Sequence, residues 1–175
     1  MPIIVEEAKS KEDYIKAWIE CMKHLHWFKK HRLFDYNRDE MTEELLMDFG
    51  KPGNVFLVAM PKGTKEIIGV LGIRLQGEIG VLRRWEPAVP LKEKSTGVGE
   101  VLIKNGFHWL QDKGARKAVC MLKYPYGLRK NAEWHISLYK KCGFKQKGPI
   151  SVQLLADLSH AETPPYSSQV SIRTS

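Results

Sequence analysis

The sequence predicts a mixed α/β domain, and three features predict it. Stretches rich in valine, isoleucine, leucine and phenylalanine are punctuated by turn clusters such as Pro61-Lys-Gly-Thr-Lys65, Gln76-Gly77 and Gly148-Pro149. Between some of them run segments whose apolar residues recur at helical spacing. Residues 78–122 read strand, loop, helix, strand, the pattern of a crossover unit whose two strands lie parallel.

Taken in order, Ile3–Glu7 is a short first strand, and Ser10-Lys-Glu-Asp13 resembles a capping box with Asp13 in place of glutamate. The helix that follows sets Ile15, Trp18, Ile19, Met22 and Leu25 on one face as a core stripe. Its end is rich in histidines and aromatics (His24, His26, Trp27, Phe28, His31, Phe34) that could line a substrate pocket. No fixed ligand set such as HExxH accompanies them, so surface and packing roles are preferred and no metal is expected. Asn37-Arg-Asp-Glu40 makes a second helix start, with Leu45, Leu46 and Phe49 facing inward before Gly50 and Pro52 end it.

Residues 54–60 and 66–75 read as a hairpin, and 78–86 as the third strand of an antiparallel meander. An amphipathic helix follows, with Val98, Val101, Leu102, Asn105, Gly106, Trp109 and Leu110 on one face and a stop at Lys113-Gly114. Residues 115–122 form another strand and 130–141 a short helix with Ala132, Ile136 and Tyr139 inward. Residues 144–147 and 150–158 close as a final hairpin. The chain is expected to divide into one domain over 1–158 and a polar tail or linker over 159–175. At 175 residues it is long enough for one full core and too short for two domains.

Composition excludes several classes. No run approaches the ~18 apolar residues of a membrane span, and Met-Pro-Ile-Ile-Val-Glu-Glu is no signal peptide. Cys21, Cys120 and Cys142 are odd in number and unpaired in spacing, so reduced thiols in the cytoplasm are expected rather than a disulfide framework. The net charge of +8 brings nucleic acid into consideration. Lysines are nevertheless mixed with glutamates throughout, with no dense basic run beside stacking aromatics. A solvated surface plus a phosphate-rich cofactor site is the preferred reading, and a nucleic-acid-binding domain the lesser one.

The stretch between the third strand and the long helix carries the functional signal. It reads Val89-Pro-Leu-Lys-Glu-Lys94-Ser95-Thr96-Gly97-Val98-Gly99-Glu. A strand, a basic glycine loop and a helix present unpaired N–H groups and a positive dipole end to an anion. Gly97 and Gly99 leave no side chain between that backbone and a phosphate, and Ser95 or Thr96 is expected to cap the helix.

Lys94-x-x-Gly97-x-Gly99, with Val89 before it, resembles the Arg/Gln-x-x-Gly-x-Gly/Ala signature of GNAT-type N-acetyltransferases. Leu138-Tyr139-Lys-Lys-Cys-Gly143-Phe144 is similar to that family's Leu-Tyr-x-Lys-x-Gly-Phe ending. Lys94 stands where arginine or glutamine is usual, and Leu91 where proline is common. The asparagine that often precedes the tyrosine falls one place off, at Asn131. Specific motifs cover residues 78–147; the first half matches in element order only.

The resemblance implies a largely antiparallel twisted sheet of six to seven strands flanked by about four helices. It implies transfer of an acetyl group, or another short acyl group, from acetyl-coenzyme A or its analogue to a primary amine by direct attack in a ternary complex. Val89, Lys94, Ser95, Thr96, Gly97, Val98, Gly99 and Asn131 would bind the cosubstrate. An amine with pKa ~10.4 must lose a proton before it attacks. Glu78 and Glu86, on one face of a regular strand, are the candidate bases, with a water relay as the alternative. The thioester oxygen calls for an N–H donor at ~3 Å, which the family draws from a bulge near Arg83 to Glu86. Tyr139 occupies the family's general-acid position for the departing thiolate. The acceptor, a small molecule or a peptide, stays open, as does monomer or homodimer. A coenzyme-A-binding module without catalysis is the competing class.

Overall fold

Ser10 starts the first helix by accepting the N–H of Asp13 on its hydroxyl at 3.1 Å, one half of the expected capping box. In this computed structural model residues 2–22, 43, 47–83, 86–121, 129–146 and 153–158 are described. The elements in chain order are β1 (Ile3–Glu7), α1 (Lys11–Met22), β2 (Asn54–Pro61), β3 (Gly69–Gln76) and β4 (Ile79–Leu82). A 3-10 turn (Leu91–Glu93) leads into α2 (Val98–Asp112), followed by β5 (Lys117–Met121), α3 (Arg129–Lys141), β6 (Lys145–Gln146) and β7 (Gln153–Asp157). The expected second helix falls largely outside the described residues, as do His24, His26 and His31.

The strands form one seven-stranded sheet in the order β1-β2-β3-β4-β5-β7-β6. Every pair is antiparallel except β4 with β5, which the α2 crossover makes parallel. The final hairpin therefore docks through its second strand, leaving the two-residue β6 outermost. This is the mixed, largely antiparallel sheet that the sequence predicts, with three α-helices among the described residues. None of those helices is long and apolar enough to cross a membrane.

One face of the sheet packs α1, through Tyr14, Ala17, Trp18, Cys21 and Met22, against Phe56, Val58 and Val70. Ile15 and Ile19, expected in that stripe, are only partly buried. The other face packs α2 through Val98, Leu102, Ile103 and Leu110 against Leu57, Leu71, Ile73 and Leu82. The buried arc of α2 is rotated from the expected one: Gly99, Ile103 and Phe107 are inside, whereas Val101, Asn105 and Trp109 are partly exposed. The cause is a second partner. Phe107 packs its ring against Phe144 at 5.3 Å between centroids, and Phe144 meets Tyr139 at 4.9 Å, so α2 is covered by the α3 region as well as by the sheet.

Candidate active site

The site is built where β4 stops pairing. The ladder to β3 runs to Ile73↔Leu82, and the Arg83 N–H still donates to the Gly72 carbonyl at 3.0 Å. Among the described residues the next contact is an isolated bridge, Val70↔Ala88. Two steps along β3 thus correspond to five on the facing chain, a bulge between Arg83 and Ala88. Pairing with β5 also ends, at Leu82↔Cys120. The expected strand over 78–86 is therefore cut to Ile79–Leu82.

This break separates the two candidate carboxylates, which share no strand face. Glu78 sits in the turn before β4, exposed, with Arg116 Nε at 3.4 Å. Glu86 is 0% exposed. One of its oxygens, Oε2, accepts the Tyr14 hydroxyl at 2.9 Å and, in a short bond, the Gly72 N–H. A Cβ at position 72 would collide with Arg83 Cδ, so only a bare glycine lets these groups close over β3. Its other oxygen, Oε1, has no hydrogen-bond partner among the described residues. Burial pushes the Glu86 carboxyl up, against the lowering pull of the nearby Arg83 guanidinium and its two donors. The Arg83 guanidinium lies 5.7 Å from the centre of the Phe56 ring, and its Nη1 lies 3.3 Å from Asp48 Oδ2.

Helix α3 closes the break from the other side. Tyr139, fully buried, donates its hydroxyl to the Glu86 backbone carbonyl in a short bond and reaches the Cys120 thiol on β5. Its phenol thus spans the gap between β4 and β5. One turn earlier His135, also buried, has Nε2 3.2 Å from the Pro87 carbonyl. A carbonyl only accepts, so that nitrogen carries the proton. The Glu86–Pro87 peptide is cis. Ala88 exchanges both its main-chain bonds with Val70, at 3.0 Å each. By antiparallel alternation the main-chain N–H and C=O of Val89 face the opposite edge, which β5 has left. His135 stood outside the expected site, because an isolated histidine in a short helix carries no spacing signal.

The loop beyond differs from expectation in how the helix begins. Neither Ser95 nor Thr96 caps it. Gly97 is the N-cap residue, with φ +87° and no side-chain bond to the helix. The Thr96 hydroxyl turns back to Glu93, to its carbonyl at 2.8 Å and its carboxylate at 3.0 Å. The first-turn N–H groups of Val98, Gly99 and Glu100 have no intrahelical acceptor and sit at the positive end of α2. A Cβ on Gly97 would meet nothing within 4 Å, so the space over that backbone is open to a ligand. Gly99 serves differently from the expected open backbone: a Cβ there would lie 2.7 Å from Leu138 Cδ2, so its missing side chain admits α3.

Lys94 is half-buried, its Nζ 4.9 Å from the centre of the Trp134 ring, and burial lowers its pKa. The Trp134 indole N–H in turn reaches the Lys94 carbonyl at 3.4 Å. Trp134 is a second residue that the sequence did not single out. Asn131 falls in α3, but its side chain lies outside the described residues. Cys120 and Cys142 carry thiols pushed up to about 12 by burial, which leaves little thiolate for an acyl-cysteine route. No group of three or more metal-ligating side chains occurs among the described residues.

No family model matches the sequence, and no curated protein matches it. Solved structures do. A PaiA N-acetyltransferase from Thermoplasma acidophilum, in complex with coenzyme A, is 16% identical, aligns over 90% of this chain and 99% of its own, and has a TM-score of 0.64. A GNAT-family acetyltransferase from Staphylococcus aureus gives 16%, 90%, 99% and 0.63. An aminoglycoside 6'-acetyltransferase of type Ii gives 14%, 89%, 97% and 0.59. The chain shares the fold of these acetyltransferases.

Proposed function

We propose that the chain is an acetyl-coenzyme-A-dependent N-acetyltransferase that passes the acetyl group directly to a primary amine in a ternary complex. The observation that carries this reading is the opening of the α2 N-terminus, with its unclaimed N–H groups and open space over Gly97, beside the break between β4 and β5. A diphosphate would sit at the first and an extended pantetheine arm would lie in the second. The backbone from Ser95 to Gly99 would hold the diphosphate, with Lys94 as added positive charge and Asn131 as a further contact from α3. The Val89 main chain, facing the vacated edge, would pair with the arm as a missing strand would.

The acetyl thioester supplies an activated carbonyl, and the chain's own residues would do the rest. The bulge between Arg83 and Ala88 frees backbone from the ladder for an N–H donor to the carbonyl oxygen. Tyr139 would protonate the leaving thiolate. Its proton now goes to the Glu86 carbonyl, so delivery requires the hydroxyl to turn about its C–O bond. Of the two carboxylates Glu86 is favoured as proton acceptor: it is buried and its pKa is raised, whereas Glu78 is a solvated ion-pair partner of Arg116. The acceptor remains a primary amine of a small molecule or peptide, the cell compartment the cytoplasm, and the assembly a monomer or homodimer.

The full commitment of Tyr139 and the burial of Glu86 favour one other reading, a coenzyme-A-binding module without turnover. Calorimetric titration with acetyl-coenzyme A, beside Gly97→Glu, tests both. Micromolar binding lost in the variant, followed by thiol release with spermidine, an aminoglycoside or a lysine peptide, supports the enzyme. Binding without release from a broad amine panel supports the module. A folded wild type that does not bind overturns both.

A further inference from the structure

The buried carboxyl of Glu86 is held asymmetrically. Gly72 N–H and the Tyr14 hydroxyl both end on Oε2, while Oε1 is buried without a partner among the described residues. A buried oxygen left this way is costly unless a proton, a water or a ligand donor reaches it. Tyr14 comes from α1, on the opposite face of the sheet from α2, and is itself 0% exposed. It is held there by an edge-on contact to Phe56, 5.1 Å between centroids. Its hydroxyl therefore has one defined direction.

We infer that Tyr14 is a positioning residue: with the Gly72 N–H it occupies Oε2, and so presents Oε1 as the atom of Glu86 that takes up the acceptor's proton. This rests on the transferase reading above. Gly72 contributes backbone and cannot be removed by substitution, which leaves the Tyr14 hydroxyl as the adjustable half of the clamp. A phenol donating to a carboxylate stabilises the ionised form, the form that accepts a proton. Arg83 acts in the same direction from the end of β4, while burial opposes both. Among the described residues the other titratable groups facing this carboxyl are Cys21 on α1 and Cys120 on β5, both with thiols pushed up to about 12 and so neutral in the working range. Tyr139 on α3 meets the backbone carbonyl of Glu86, and His135 that of Pro87.

The test is the carboxyl titration of Glu86, followed by carbon NMR in the full chain labelled at glutamate side-chain carboxyls, with Glu86→Gln to assign the resonance. In Tyr14→Phe the midpoint is expected to rise by about one to two pH units, the worth of a hydrogen bond to a charged group. The acid limb of the kcat/KM profile should rise with it, and kcat should fall while acetyl-coenzyme A affinity is unchanged. A tyrosine that merely held α1 to the sheet would lower stability and leave that limb where it was. If Tyr14→Phe does not fold, site-specific 3-fluorotyrosine at position 14, a stronger donor, should move the midpoint down instead. An unmoved midpoint, or a moved midpoint with an unmoved acid limb, overturns the role of Tyr14. A wild type that binds no acetyl-coenzyme A overturns the transferase reading, and the titration then still scores the clamp.

Discussion

Glu86 concentrates the electrostatic cost of the site in one residue. Its carboxyl stands 0% exposed, and burial raises its pKa above the ordinary 4.5. The consequence for stability has a definite sign. A group that binds its proton more tightly in the folded chain stabilises that chain at low pH. The contribution is complete below about 4.5, the ordinary value, and is lost as pH climbs through the raised folded value. Glutamine keeps an acceptor oxygen for Gly72 and Tyr14 and never ionises. In urea melts Glu86→Gln should therefore gain on wild type as pH rises from about 4.5 through the raised folded value, by about 1.4 kcal/mol for each unit by which the folded pKa is raised. A difference that stays constant with pH would show that the carboxyl does not titrate as a buried acid. The same residue should lose turnover on becoming Gln if it takes the acceptor's proton, so the stability gain and the activity loss separate its two roles.

Two glycines at the start of α2 serve that helix in different ways, and they should fail differently. Gly97 holds φ +87° over open space, so Gly97→Ala carries only the left-handed backbone penalty of about 1–2 kcal/mol. Gly99 sits against α3, with Leu138 Cδ2, Pro87 Cγ and Trp134 Cη2 around the place a Cβ would take. Gly99→Ala should cost about 1–3 kcal/mol in urea melts by overpacking, and should shift α3 with its Tyr139 and His135. Acetyl-coenzyme A affinity should fall in both, but only Gly99→Ala should disturb the Tyr139 phenol, read by its ultraviolet absorbance. Equal effects on that signal would mean that Gly99 is not the contact that seats α3.

This is also where sequence reading reached its range. Periodicity placed α2 and its stop at Gly114, and the turn residues placed the hairpins, because those signals are local. The buried arc of α2 was read from one period and one partner, and Phe107 and Gly99 became visible only once α3 lay beside it. The early end of β4 had no local sign, since register against β3 is set across the sheet. Tyr14 was passed over for the same reason: its partner Glu86 lies 72 residues away in the chain.

At the scale of the molecule, the net charge of +8 decides what the surface attracts but not what the fold does with it. The sheet faces two helical layers with separate cores, and the described backbone leaves its ladder at the bulge after β4. A ligand seated there contacts β4, α2 and α3 together, so binding should stabilise the domain as a unit. At a hundredfold excess over its dissociation constant, acetyl-coenzyme A would add about 2.7 kcal/mol. For a domain of this size that raises Tm by roughly 5–10 °C in a thermal melt. The effect should weaken only modestly with salt if the contacts are the proposed backbone N–H groups and one half-buried lysine. Oligonucleotide held by surface lysines behaves otherwise, losing affinity with a log–log salt slope of about 0.9 per phosphate neutralised. An absent coenzyme shift together with tight, steeply salt-dependent oligonucleotide binding would mean that the basic surface, and not the break in the sheet, is the working part of the chain.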